Sequence, residues 1–200
     1  MKAKTPIIYL ASRSPRRREL LNQIGVCHKT IVADINEHPR TGEAPAEYVI
    51  RLALEKARAA HRTLGADSQL PVLAADTSVV VDNEILGKPL DRGDALTMMQ
   101  RLSGCTHIVL TGVALVGKKT QTRLSVSHVS FRTISPVEAA AYWETGEPQD
   151  KAGGYAIQGL GAMFISRLEG SYSGVMGLPL FETAELLSLA GVENHIRTIK

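Results

Sequence analysis

Short apolar runs that pass straight into capped helices constrain this chain more than any other feature. Ile7–Leu10 reads as a buried strand, and the chain then turns at Ser12–Ser14. Ser14-Pro15 supplies an N-cap position followed by proline at the first helical position. The helix that follows, Pro15–Ile24, carries Leu20, Leu21 and Ile24 and stops at Gly25. The pattern repeats with a short strand near Lys29–Val32, a polar loop holding Asp34, Glu37, Pro39 and Gly42, and a long helix over Pro45–Leu64. In that helix Val49, Leu52, Ala53, Ala59, Ala60 and Leu64 recur at helical spacing.

Pro71–Ala75 is a buried strand that delivers Asp76 and Thr77 at its end, and Ser78–Val81, Asp82-Asn83 and Glu84–Leu86 read as a hairpin. Asp91 or Asp94 caps a helix reaching Leu102. His107–Val116 and Thr120–Phe131 read as a long antiparallel pair joined at Gly117-Lys118. Ser135-Pro136-Val137-Glu138 is a capping-box signature for a helix reaching Gly146. After a glycine-rich stretch come a strand near Met163–Arg167, a loop over Ser171–Gly177 and a last helix from Pro179 to Gly191. Strands alternating with helices, together with long hairpins, predict an α/β fold with a mixed sheet, as one domain over residues 1–200.

Composition then excludes several function classes. In 200 residues the net charge is only +3, so a chain-wide basic footprint for duplex nucleic acid is absent, and 4% aromatics disfavours a base-stacking platform. The run Ile7–Ala11 is too short for a signal-peptide core, and no stretch approaches the roughly 18 apolar residues of a membrane span. Cys27 and Cys105 lie far apart and form no C-x-x-C pair, so both read as small core residues. A cytoplasmic protein with no membrane or nucleic-acid partner is expected.

One turn carries most of the chemistry. Leu10–Leu21, L-A-S-R-S-P-R-R-R-E-L-L, places Ser12, Ser14 and Arg16 where free backbone N–H groups and the positive end of a helix dipole converge. Guanidinium forks fit phosphate oxygens, so the turn suits a polyphosphate. Arg17 and Arg18 read as a solvated basic face. Asp76, at a strand end, and Glu37, in the polar loop, are two carboxylates able to hold Mg²⁺ or Mn²⁺ beside phosphates. Lys56 falls on the apolar stripe of its helix, one turn beyond Leu52, and must snorkel or meet an anion. Lys88 sits in the stiff turn Gly87-Lys88-Pro89, and Lys151 precedes the glycine-rich loop. From these residues the reading is an anionic, metal-assisted site. It leaves phosphoryl transfer, nucleotidyl chemistry and plain nucleotide binding all open.

The chain also resembles the Maf family of nucleotide pyrophosphatases. The motifs are LASRSPRRRELL, LEKA at Leu54–Ala57, AADTSVVVDNEILGKPLD at Ala74–Asp91, LSGCTHIVLTGVAL at Leu102–Leu115, DKAGGYAIQGLGAMFI at Asp150–Ile165 and GSYSGVMGLPL at Gly170–Leu180. The resemblance implies a long mixed sheet with flanking helices and two lobes around a central cleft. It implies hydrolysis of a nucleoside triphosphate to the monophosphate and diphosphate, a divalent cation, and a homodimer. It assigns Asp76 as proton acceptor, Ser12, Ser14, Arg16, Lys56 and Lys88 to the triphosphate, and Glu37 with Asp76 to the metal. Tyr155-Ala156-Ile157-Gln158 resembles the dTTP- and UTP-hydrolysing branch, with Arg16, Thr77 and Gln158 at the specificity positions. The alternative is a nucleotide-binding regulator of septum formation without significant turnover.

Overall fold

The apolar runs become strands of one mixed sheet. A computed structural model describes residues 7–65 and 69–192. Its strands are β1 (Ile8–Ala11), β2 (His28–Ile31), β3 (Val72–Val81), β4 (Glu84–Leu86), β5 (Thr106–Val116), β6 (Thr120–Phe131) and β7 (Ile165–Glu169). The helices are α1 (Pro15–Gln23), α2 (Pro45–Thr63), α3 (Arg92–Leu102), α4 (Pro136–Glu144), α5 (Tyr172–Met176) and α6 (Leu180–Leu189), with short 3₁₀ turns between α4 and β7. The order is β2-β1-β3-β5-β6-β7, and β4 pairs with β3 off this path. β1 runs parallel to both neighbours because α1 and α2 provide crossovers; the other strands meet antiparallel, as hairpins require.

Period-two alternation along β3 decides what each face meets. Val72 and Ala74 pack with Ala53, Ala57 and Ala60 of α2, while Leu73 and Ala75 pack with Leu20 and Leu21 of α1 and with Leu186 and Leu187 of α6. Gly112 of β5 lets α2 come this close: a Cβ there would lie 2.5 Å from the Val49 carbonyl oxygen. Further along the sheet a second core gathers Val79, Leu102, Phe131, Tyr142 and Phe164. The two cores meet at the middle of β3, and a cleft opens there.

Several local expectations are corrected. Pro71–Ala75 and Ser78–Val81 are parts of the one strand β3, so Asp76 lies mid-strand rather than at a strand end. The position is open all the same. β1 pairs with β3 only as far as Leu73, and the pairing with β4 begins at Val79. Between them, among the described residues, β3 has no strand neighbour on that edge. Ser14 stands at the N-cap of α1, but its side chain makes no capping bond; its amide instead donates to Ser12 Oγ at 3.1 Å. The segment Ser171–Gly177, read as a loop, contains α5, capped by Ser171. Cys105 is exposed and Cys27 only partly buried, so neither is a core residue. The capping box at Ser135 and Glu138 and the β5–β6 pair form as expected. Among the described residues no helix is long and apolar enough to cross a membrane.

Candidate active site

A cleft of about 620 Å³ opens beside the gap in the β3 edge, a size suited to a small-molecule ligand. Every site residue singled out from the sequence lines it: Ser12, Ser14 and Arg16 from the β1–α1 turn, Glu37 from the loop before α2, Lys56 from α2, Asp76 and Thr77 from β3, Lys88 beyond β4, and Gln158 from the glycine-rich segment.

Alternation on β3 splits the two central residues. Asp76 shares the parity of Val72 and Ala74 and so faces α2, where Lys56 Nζ donates to Asp76 Oδ1 at 2.7 Å and lies 2.9 Å from Glu37 Oε1. The lysine on the apolar stripe has met its anions. Burial pushes the Asp76 carboxyl above its ordinary range, and the Lys56 ammonium opposes that without cancelling it. A carboxylate raised in this way is a stronger base. Asp34 is not part of this cluster; it pairs with Arg13 at 3.0 Å, both well exposed. Both acids line the cleft, but Glu37 is the one that reaches Lys56.

The Glu37 loop is tied down from α2. Tyr48 Oη donates to the Glu37 carbonyl at 2.8 Å, and Arg51 donates to Glu43 and to the His38 carbonyl. The Arg51 bond holds the Glu43 carboxyl down at about 2. Burial, reinforced by the Asp76 and Glu37 carboxylates, pushes the Tyr48 phenol up to about 12.

Thr77 has the opposite parity and faces α1 and α5. Its hydroxyl lies 3.0 Å from Thr111 Oγ1, which donates to the Gly174 carbonyl, and 3.4 Å from Arg17 Nη2. Arg17 also donates from Nε to the Gly177 carbonyl at 2.7 Å and reaches Ser12 Oγ at 3.5 Å. Arg17 was expected on a solvated face; it instead braces the β1–α1 turn against α5. The signal for this was available, since Arg17 lies three and four residues before the buried Leu20 and Leu21 and so shares their helix face. Arg18 is exposed as expected. Among the described residues Arg16 has a single weak partner, Asp150 at 4.0 Å, and Lys88 is exposed at the cleft. Both cations stay available to an anion.

Gln158 sits at the third position of a tight turn closed by Gly159 N–H on the Ala156 carbonyl at 3.2 Å, with its side chain exposed. The cleft thus has a cationic and hydroxyl-bearing end, a buried carboxylate at its middle and an amide on its rim. That arrangement suits a nucleotide lying with phosphates at the helix start and base toward Gln158.

Known proteins match this chain over most of its length. A dTTP/UTP pyrophosphatase of Alkalilimnicola ehrlichii is 60% identical over 185 residues, covering 91% of this chain and 92% of the relative. A dTTP/UTP pyrophosphatase of Saccharophagus degradans is 54% identical over 182 residues, covering 90% and 87%. Among solved structures, a nucleoside-triphosphatase/dITP/XTP pyrophosphatase of Mycobacterium abscessus is a distant likeness, with a TM-score of 0.41 and 21% identity over 64% of this chain and 74% of that one. Residues 7–190 match the model of the family described as Maf-like protein, and the chain belongs to that family.

Proposed function

We propose that this protein hydrolyses dTTP and UTP to the nucleoside monophosphate and diphosphate, as the names of its relatives say of them. The observation that carries the reading is the placement of Asp76: a buried, raised carboxylate held by Lys56, in a gap of the sheet edge next to the Ser12–Arg17 turn. Asp76 accepts a proton from water as the water oxygen bonds to the α-phosphorus. The bond from that phosphorus to the α–β bridging oxygen breaks, and diphosphate leaves with that oxygen. Ser12, Ser14, Arg16, Lys56 and Lys88 orient the triphosphate and offset its charge, so catalysis is mainly positioning and electrostatic stabilisation. Arg16, Thr77 and Gln158 set the choice of base. The Gln158 amide both donates and accepts, matching a pyrimidine edge.

The resemblance implies a divalent cation. The Glu37 and Asp76 carboxylates both lie against the Lys56 ammonium and are hard oxygen donors of the kind Mg²⁺ and Mn²⁺ take. Among the described residues no group of three or more His, Cys, Asp or Glu side chains gathers as a metal site. A donor set of two carboxylates fits Mg²⁺, which commonly draws only one or two from the protein and the rest from phosphates and water. When bound, the cation offsets phosphate charge. The nucleotide is the partner in this reading, and a homodimer is the assembly we propose.

The test is diphosphate release from dTTP, UTP, 7-methyl-GTP and ITP, with Mg²⁺ or Mn²⁺. Turnover of dTTP and UTP is expected, reduced about 10²- to 10⁴-fold in Asp76→Asn, the usual worth of a general base. Folded wild-type protein that binds dTTP and releases no diphosphate would instead support the regulator reading.

A further inference from the structure

Gln158 sits on a segment that would be a weak reader of anything if it moved freely, yet a polar cup behind it ties that segment down. Glu147, in the 3₁₀ turn after α4, turns its carboxylate toward the glycine-rich loop. Its Oε2 accepts from Leu160 N–H at 2.9 Å, and its Oε1 accepts from Gly161 N–H at 3.0 Å. Tyr142 Oη, from α4, donates to Glu147 Oε1 at 2.6 Å and accepts from Ala156 N–H at 3.1 Å. Backbone amides on both sides of Gln158 are therefore held by two side chains of one helix-and-turn unit. Neither side chain lines the cleft.

Glycine is required for this fit. A Cβ at Gly161 would lie 2.7 Å from Tyr142 Oη and 2.8 Å from the Ala156 carbonyl oxygen, and one at Gly159 would run into the Glu147 carboxylate. Partial burial pushes the Glu147 carboxyl up, but its bonds from Tyr142, Gly161 and Leu160 outweigh that and leave it below the usual glutamate range. The carboxylate is thus charged at neutral pH, and charge-assisted bonds to amides are the stronger kind. The cup is itself anchored. The capping box of Ser135 and Glu138 starts α4, the Tyr142 ring packs edge-on against Phe164 with centroids 5.1 Å apart, and Thr145 Oγ1 accepts from Glu147 N–H at 3.2 Å.

We infer that Glu147 and Tyr142 are positioning residues for base selection, holding the 156–161 segment so that the Gln158 amide meets the nucleobase in one orientation. The inference rests on the reading of Gln158 given above. A base reader discriminates only if its polar groups are held in one orientation: a mobile amide can turn to meet the edge of the wrong base, whereas a fixed one leaves that base's polar groups unpaired. The triphosphate end is built on β1–α1 and α2, and it meets the turn that carries Glu147 through the loose 4.0 Å pair of Arg16 with Asp150.

The experiment compares wild type with Glu147→Ala, Glu147→Gln and Tyr142→Phe. It measures kcat and KM on dTTP and on CTP, and amide hydrogen exchange across residues 150–165. Exchange in the 156–161 segment is expected to speed up in the variants. The kcat/KM preference for dTTP over CTP should fall about tenfold in Glu147→Ala, roughly the worth of one good hydrogen bond. Most of that fall should come through KM on dTTP, with kcat held within about threefold. Glu147→Gln keeps the size and one acceptor but turns an NH₂ toward an N–H, so it should be intermediate. Equal losses on both nucleotides with the preference intact would mean a merely structural role, and exchange in 156–161 equal to wild type would overturn the inference outright. A wild type with no turnover would sink the hydrolase reading; the exchange comparison then still decides whether the cup holds the loop.

Discussion

His107 shows what burial does to a single titratable residue here. The imidazole is 1% exposed, with Nε2 2.8 Å from Tyr155 Oη and its ring edge-on to Phe131 and Tyr155. Burial lowers its pKa from 6.5 to about 4. The folded state therefore refuses a proton that the unfolded chain takes up. The stability this contributes is fully present above pH 6.5 and is lost as the pH falls toward 4, by roughly 3 kcal/mol in all. Urea unfolding of wild type and His107→Gln at pH 7 and pH 4.5 checks this: wild type should lose roughly 2 kcal/mol more on acidification, and parallel losses would contradict it. Lys56 and Arg17 mark the range of what was legible residue by residue. A lysine on an apolar stripe announces an anionic partner, since an unpaired buried ammonium is too costly. Arg17 announced its inward turn only through helical spacing, and its partners Gly177 and Thr77 are distant in sequence.

At the scale of elements, α2 and β3 place the proposed proton acceptor. Asp76 pairs directly with Gly112 in the sheet register, and Gly112 is where the α2 backbone touches the sheet. Substituting Gly112→Ala puts a methyl group into the Val49 carbonyl and the Ile50 amide, both backbone and unable to step aside alone. The helix must lift, and Lys56 moves from Asp76 with it. A stability loss of about 1–3 kcal/mol is expected from overpacking, together with a fall in kcat on dTTP larger than that in a matched surface variant. Unchanged thermal midpoint and kcat would show that α2 has room to shift. The elements themselves were largely readable, because caps, prolines and periodicity are local signals. The exception is instructive. Asp76 and Thr77 look like a strand ending, since polar residues interrupt the apolar run, yet β5 pairs with β3 from Val72 to Val80 without a break and carries the strand through.

For the whole molecule, the cleft lies where two cores meet, one beneath β1, α1 and α6 and the other behind β5, β6, α3 and α4. A nucleotide spanning from Ser12 to Gln158 touches elements belonging to both, so its binding should couple them. At a concentration 100-fold above Kd, a non-hydrolysable dTTP analogue with Mg²⁺ should stabilise the fold by about 2.7 kcal/mol. That corresponds to a rise of roughly 5–10 °C in thermal midpoint for a chain of this size. The rise should come in one cooperative transition. Two resolved transitions, only one of them shifted, would mean the halves unfold independently.

Local chemistry in the sequence determined the elements, the basic strand-to-helix turn and the residue types of the site, because capping, turn formation and helical or strand period act over a few neighbouring residues. Only the tertiary structure decided that the edge of β3 is open at Asp76, that Glu37 rather than Asp34 reaches Lys56, that Arg17 turns inward, and that Glu147 and Tyr142 stand behind the Gln158 turn. Each of these depends on where one strand stops beside another, or on contacts between segments well apart along the chain. No local pattern encodes such distances; packing against the rest of the fold sets them.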